Sequence, residues 1–185
     1  MRTPKHNTIN DFEPENFLSS FFRTAKAILF SPRPFYEGMK SEGGLRNPFI
    51  FLSCCVLIHA LIVGMFVKNQ IVIALNVLNG IAMPFLTAGI VFFIITRLFK
   101  ASGTYEAAFR VNAYSAATVL FSWIPLLGFL LEVYRYYLIA LGLGCTFSIK
   151  ISRAFLAIAM TLCIYVAAFS AIAYITGGPW QKSVP

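Results

Sequence analysis

Charged side chains are scarce here: Asp, Glu, Lys and Arg make up only 12% of the 185 residues, about half the share of an ordinary soluble domain. So few charges cannot cover a water-exposed surface, which excludes a soluble globular protein. Acids are scarcest, seven against fifteen Lys and Arg, for a net charge of +8. The bases form no stripe on a soluble face. They flank apolar runs, which excludes nucleic acid as the partner. Also missing are a CxxC pair, an HExxH helix, a phosphate loop and a visible nucleophile–base set. Ser148 has no His near it, and Gly142-Leu143-Gly144 is too short a signal for a nucleotide loop. No catalytic residue, metal ligand or cofactor is therefore assigned. The first forty residues carry charges and prolines rather than a compact apolar core with a cleavage site, so no cleavable signal peptide is expected.

What is abundant is hydrocarbon. Hydrophobic residues make up 58% of the chain. The sequence predicts an all-α, polytopic membrane protein with five transmembrane helices, each near the roughly 20 residues a bilayer requires. They cover about Pro48–Val67, Ile71–Phe99 (interrupted by Pro84), Tyr105–Ser122, Leu126–Phe147 and Arg153–Thr176. Asn47-Pro48 reads as an N-cap with proline at the first helical position. Trp123 and Pro125 make a short turn, Gly177-Gly178-Pro179 ends the last span, and Trp180 reads as an interfacial anchor. Three segments result: a cytoplasmic lead over 1–46, a membrane domain over 47–176 and a short non-cytoplasmic tail over 177–185.

Within the lead, Phe17, Leu18, Phe21, Ala25, Ile28 and Leu29 recur at helical spacing, with Ser19, Arg23 and Lys26 largely opposite. This predicts an amphipathic helix over about 17–30. It lies either on lipid headgroups, with Phe17, Phe21, Phe22, Arg23 and Lys26 at the membrane surface, or against the protein's own membrane domain. Pro32 and Pro34 stop it.

The bases set the orientation. Arg2, Lys5, Arg23, Lys26, Arg33, Lys40 and Arg46 precede the first span; Arg97, Lys100, Arg110, Lys150 and Arg153 flank the later turns on the same side. Only Lys68 and Lys182 fall opposite. The amino terminus is expected in the cytoplasm and the carboxyl terminus across the membrane.

Glu132 and Arg135 stand three apart inside the fourth span, at about 2.5–3.5 kcal/mol each if ionised at mid-bilayer. Three readings fit: a polar spot that binds a headgroup, ion or partner helix; an internal ion pair that fixes helix register; or an interfacial pair among Tyr134, Tyr136 and Tyr137, if the third span runs on to Leu131. Asn76, Asn79, Met83 and Thr87 share a face of the second span, and Asn112, Ser115 and Ser122 share one on the third. They serve as glue between helices or as a polar path. His59 and the four cysteines, Cys54, Cys55, Cys145 and Cys163, read as packing residues. Dense small residues, among them Ala113, Ala116, Ala117, Ala167 and Ala171, permit close helix approach.

The order of these features resembles the Yip1 domain family. A phenylalanine-rich lead runs into Ser31-Pro32-Arg33-Pro34-Phe35-Tyr36, then Asn47-Pro48-Phe49. Gly103-Thr104-Tyr105-Glu106-Ala107-Ala108-Phe109-Arg110 opens the third span, and Trp123-Ile124-Pro125-Leu126-Leu127-Gly128 the fourth. Tyr134 to Gly144 and Arg153-Ala154 follow. The resemblance covers about residues 17–176. It implies a five-span, non-enzymatic membrane protein that organises membrane or partner proteins, a second copy of itself included. Eukaryotic members bind prenylated Rab-type GTPases through an acidic, aromatic lead with an Asp-Leu-Tyr-Gly-Pro-like motif. Residues 1–46 lack it, so GTPase binding is not carried over, and the short lead looks like prokaryotic members, which implies a bacterial inner membrane. The alternative class is a transporter or channel for a small polar solute or lipid, with a path through Asn76, Asn79, Asn112, Glu132 and Arg135.

Overall fold

A computed structural model describes residues 12–39 and 43–175. The expected terminal features at Gly177–Pro179, Trp180 and the 177–185 tail lie outside these residues. Among the described residues the chain is all helical. A 3₁₀ turn at Pro14–Asn16 leads into α1 (Phe17–Phe30) and α2 (Pro32–Gly38); α3 (Arg46–Phe66), α4 (Gln70–Arg97), α5 (Tyr105–Ser115), α6 (Pro125–Thr146) and α7 (Ile151–Ile175) follow. A second 3₁₀ stretch, Ala116–Phe121, continues α5.

Local chemistry explains the boundaries. Pro32 takes the first position of α2, where its missing N–H is not needed. The Asn69 side chain accepts from the amides of Ile71 and Val72 and starts α4, and the Thr104 hydroxyl accepts from Ala107 and starts α5. Lys100 and Ser148 adopt left-handed backbone (φ 53° and 52°) just past α4 and α6. Two boundaries differ from expectation. Helix α3 begins at Arg46 with Leu45 as its N-cap, so Asn47 already lies in the first turn. Helix α6 begins at Pro125, so the third segment does not run on to Leu131. Glu132 therefore stands about 10 Å along α6 rather than at a helix end.

Four helices, α3, α4, α6 and α7, are long and apolar enough to cross a membrane. The expected third span is the exception. Every residue from Ala107 to Thr118 is buried, because α5 and its 3₁₀ continuation form the centre of the bundle, packed on α3, α4 and α6. A helix wrapped in protein need not be apolar, so this one holds Arg110, Asn112 and Ser115. Its alanines 107, 108, 113, 116 and 117 allow the close approach expected of them. Ala167 and Ala171 do not pack this way; both are exposed on α7.

Packing is uneven along the bundle. The buried residues of α3 lie between Pro48 and Val56, those of α4 between Pro84 and Ile95, those of α6 between Leu138 and Leu143, and those of α7 between Ala154 and Thr161. Since the helices alternate in direction, all four sets fall at one end, which also carries α2 and most of the described bases. Toward the far end the helices expose Leu61, Met65, Leu78, Phe129, Phe169 and Ile175.

Helix α1 lies across this assembly. Phe21, Ala25 and Ile28 are buried with Ser20 and Thr24. Phe21 packs against Phe51 of α3 at 5.2 Å between ring centres, and Tyr134 of α6 donates to the Leu29 carbonyl at 2.9 Å. Phe21 is thus a core residue and not a membrane-surface one. Its helix face is the one that meets α3. Phe17, Phe22, Arg23 and Lys26 remain exposed.

Candidate functional site

The site forms where tight packing ends. One cavity of about 290 Å³ is bounded by Leu52, Val56 and His59 of α3, Asn76, Asn79, Gly80, Met83 and Pro84 of α4, the 3₁₀ stretch, and Glu132 and Arg135 of α6. A second, of about 200 Å³, is bounded by Met83, Thr87 and Val91 of α4, Asn112 of α5, Glu132, Arg135, Tyr136 and Ile139 of α6, and α7. Met83, Glu132 and Arg135 belong to both. The two cavities therefore adjoin at the charged pair. Asn79, Met83 and Glu132 are exposed, so the space is an open cleft.

The five residues of the expected solute path all line this cleft: Asn76 and Asn79 in the larger part, Asn112 in the smaller, Glu132 and Arg135 in both. The charged pair is loose. Glu132 Oε1 and Arg135 Nη1 are 4.0 Å apart, beyond hydrogen-bonding distance. By contrast, Arg33 and Glu37 meet at 2.9 Å. The Glu132 side chain is 50% exposed and that of Arg135 23%. Each keeps donors or acceptors for a further group.

Other polar atoms converge here. Ser122 and His59 Nδ1 lie 3.3 Å apart across α3 and the end of the 3₁₀ stretch, which makes His59 a hydrogen-bonded wall residue. Pro84 supplies no N–H for the Gly80 carbonyl, and both residues line the larger cavity. Thr87 pairs with Tyr165 of α7 at 2.8 Å. Thr87 and Ser122 thus act as the expected glue between helices, whereas other short polar side chains bond locally. Asn112 donates to Ala108, Ser115 to Asn112, Thr118 to Ser115 and Thr161 to Ala157, all within their own helices. Short polar side chains reach the carbonyl three or four residues back more readily than a neighbouring helix.

Sequence reasoning missed two parts. Tyr165 belongs to the cleft wall, and no local pattern marks it; Met83, on the expected face of the second span, and Tyr136, of the expected aromatic belt, line the wall beside it. The second is a clasp at the tight end. Glu106 and Arg110 sit one turn apart on α5, 3.7 Å from each other. Glu106 Oε1 accepts the Gly44 amide at 2.6 Å, and Arg110 donates to the Gly44 carbonyl at 3.0 Å. The i, i+4 acid–base spacing was legible; its target 62 residues upstream was not. Close by, Tyr36 of α2 is fully buried, and burial pushes its phenol far above the ordinary value. Among the described residues no group of three or more His, Cys, Asp and Glu could hold a metal ion.

The model of the Yip1 domain matches residues 26–174, most of the chain. The chain belongs to the Yip1 family. The matched stretch takes in α2 to α6, nearly all of α7, the clasp and every polar residue of the cleft. With four helices fit to cross a membrane, this Yip1 chain is an integral, multi-pass membrane protein. The family is not known for an enzymatic activity. No curated protein and no solved structure matches it.

Proposed function

We propose that this Yip1-family chain is a non-enzymatic membrane scaffold that organises lipid or partner membrane proteins. It crosses the membrane five times, with the amino terminus in the cytoplasm and the carboxyl terminus outside a bacterial inner membrane. The fifth crossing is α5 with its 3₁₀ extension. Eleven α-helical and six 3₁₀ residues rise about 28 Å, close to the roughly 30 Å of bilayer hydrocarbon. The positive-inside rule assigns the end with Arg33, Arg97, Lys100 and Lys150 to the cytoplasm, where the exposed Phe22, Arg23 and Lys26 of α1 meet lipid headgroups.

The observation that carries the scaffold reading is the unpacked far half of the bundle. There α3, α4, α6 and α7 expose apolar side chains such as Leu61, Leu78, Phe129 and Phe169, and a scaffold needs such surface. Photo-crosslinking residues placed at Leu61, Leu78 and Phe169 test it in native membranes. A discrete protein adduct, with another protein or a second copy, is expected. Lipid adducts alone at all three positions would remove the protein-organising role.

The second reading, a carrier for a small polar solute or lipid, is favoured by the cleft itself. Its discriminator is water access: an Asn79→Cys thiol labelled from solution by a charged, membrane-impermeant reagent supports it, and protection of that thiol counts against it.

A further inference from the structure

We propose that the cleft at Glu132 and Arg135 is a binding site for a dipolar headgroup carrying both an ammonium and a phosphate. The inference rests on reading the cleft as an open polar path and names its ligand. Its two parts, of about 290 and 200 Å³, share a wall at the charged pair. Together they fall in the range of small-molecule sites, which starts near 300 Å³.

The chemistry of the wall selects the ligand. Glu132 and Arg135 are too far apart, at 4.0 Å, to satisfy each other. A ligand with a single charge would complete one and leave the other without its complement. A ligand with both charges completes both: phosphate oxygens accept from the Arg135 guanidinium, whose planar fork can donate to two oxygens of one phosphate, and the ammonium donates to the Glu132 carboxylate. Asn76 and Asn79 carry amides that donate to phosphate and accept from ammonium. Leu52, Val56 and Val119 add an apolar strip to the wall of the larger part. A dipolar head with hydrocarbon beside it is the amphiphile that matches this surface. The same head occurs on a phospholipid or free in solution, as phosphoethanolamine.

The test uses the full chain in detergent, titrated separately with phosphatidylethanolamine, phosphatidylglycerol and free phosphoethanolamine, with retention read by intact-complex mass spectrometry. Phosphatidylethanolamine is expected to be retained at least tenfold better than the purely anionic phosphatidylglycerol. Arg135→Gln should lower its retention at least tenfold. Glu132→Gln should keep phosphate binding and abolish the preference between the two lipids. Lys68→Gln, outside both cavities, should change neither. Competition by free phosphoethanolamine assigns the site to a soluble dipolar ligand; failure to compete assigns it to the lipid; either supports the proposed chemistry. Equal retention of both lipids by the wild type overturns it, as does unchanged retention in both cleft variants. So does a chain that retains no lipid and elutes as a dimer with the cleft protected. Melting curves check the fold of the variants, and Asn79→Leu, which narrows the cleft and leaves both charges, replaces any that fails to fold; retention unchanged in Asn79→Leu also overturns the inference. Water labelling at Asn79→Cys separates the failures: an unlabelled thiol rejects the open cleft, and a labelled thiol without lipid preference rejects only the ligand.

Discussion

Arg110 donates from Nη1 to the Gly44 carbonyl at 3.0 Å and fastens α5 to the link ahead of α3. The guanidinium is 1% exposed, and Glu106 closes the other side of the link by accepting the Gly44 amide. The clasp sits at the tightly packed end, with the Phe35–Tyr114–Phe51 ring cluster nearby on α2, α5 and α3. Removing one partner of a buried ion pair costs about 3–5 kcal/mol. Arg110→Ala should fall near the lower limit, because Glu106 retains some solvent. Unfolding of the purified chain in mixed micelles reads this directly. Arg110→Lys should recover only part of the loss, since an ammonium lacks the planar fork. An unchanged midpoint in Arg110→Ala would make the clasp incidental.

Neighbouring phenylalanines on α1 should behave in opposite ways. Phe21 is 4% exposed against Phe51, whereas Phe22 is 67% exposed. Phe21→Ala should destabilise the fold by about 3–5 kcal/mol, as large-to-small changes in a core do. Phe22→Ala should leave the unfolding midpoint within about 0.5 kcal/mol and instead weaken protection of α1 by lipid in hydrogen exchange. Equal unfolding midpoints for the two variants would contradict the placement of α1 against α3.

The contrast between those rings marks how far the sequence could be read. Spacing along Phe17–Phe30 identified a helix with an apolar face, but lipid and protein attract that face by the same physics. Only the position of Phe51 settles which rings turn inward. The long helices were legible because their composition is set by the solvent around them. Segment Tyr105–Phe121 was blurred for the complementary reason: its surroundings are protein, so Arg110 and Asn112 are tolerated and hydropathy falls. At the site, the residue types were legible, since Glu132, Arg135, Asn76, Asn79 and Asn112 are conspicuous in apolar runs. Their convergence was not, because it depends on where α4 and α6 stand apart above α5.

Tyr36 gives a pH prediction. Its hydroxyl is buried with no partner among the described residues, and burial holds the phenol neutral well above its ordinary value. In the unfolded chain that phenol ionises near pH 10. Folded-state stability is therefore fully present below about pH 10 and is lost above it, by up to about 1.4 kcal/mol per pH unit from this group. Tyr36→Phe should flatten that alkaline limb relative to the wild type. At about pH 7 it should be neutral or stabilising by about 1 kcal/mol, because it removes an unsatisfied buried hydroxyl. Parallel titrations of the two proteins, followed by circular dichroism, make the comparison. Identical alkaline limbs would place Tyr36 in water.

Pro84 tests whether the cleft is held open at the expense of stability. It lies inside α4, where proline removes a helical hydrogen bond and costs about 3 kcal/mol in a regular helix. Gly80, one turn earlier, approaches Val56 of α3 so closely that an added Cβ would come within 2.9 Å of it. The proline and the close contact thus fall on the same turn, at the wall of the larger cavity. Pro84→Ala restores an N–H for the Gly80 carbonyl and lets α4 straighten. The unfolding midpoint should hold or rise. Labelling of an Asn79→Cys thiol from solution should slow severalfold as α4 shifts, and retention of the dipolar lipid should fall with it. A stabilising change that impairs the site is the pattern expected where a local rule is broken for function. A variant that loses stability, or gains it with labelling unchanged, would mean that Pro84 shapes α4 without shaping the cleft.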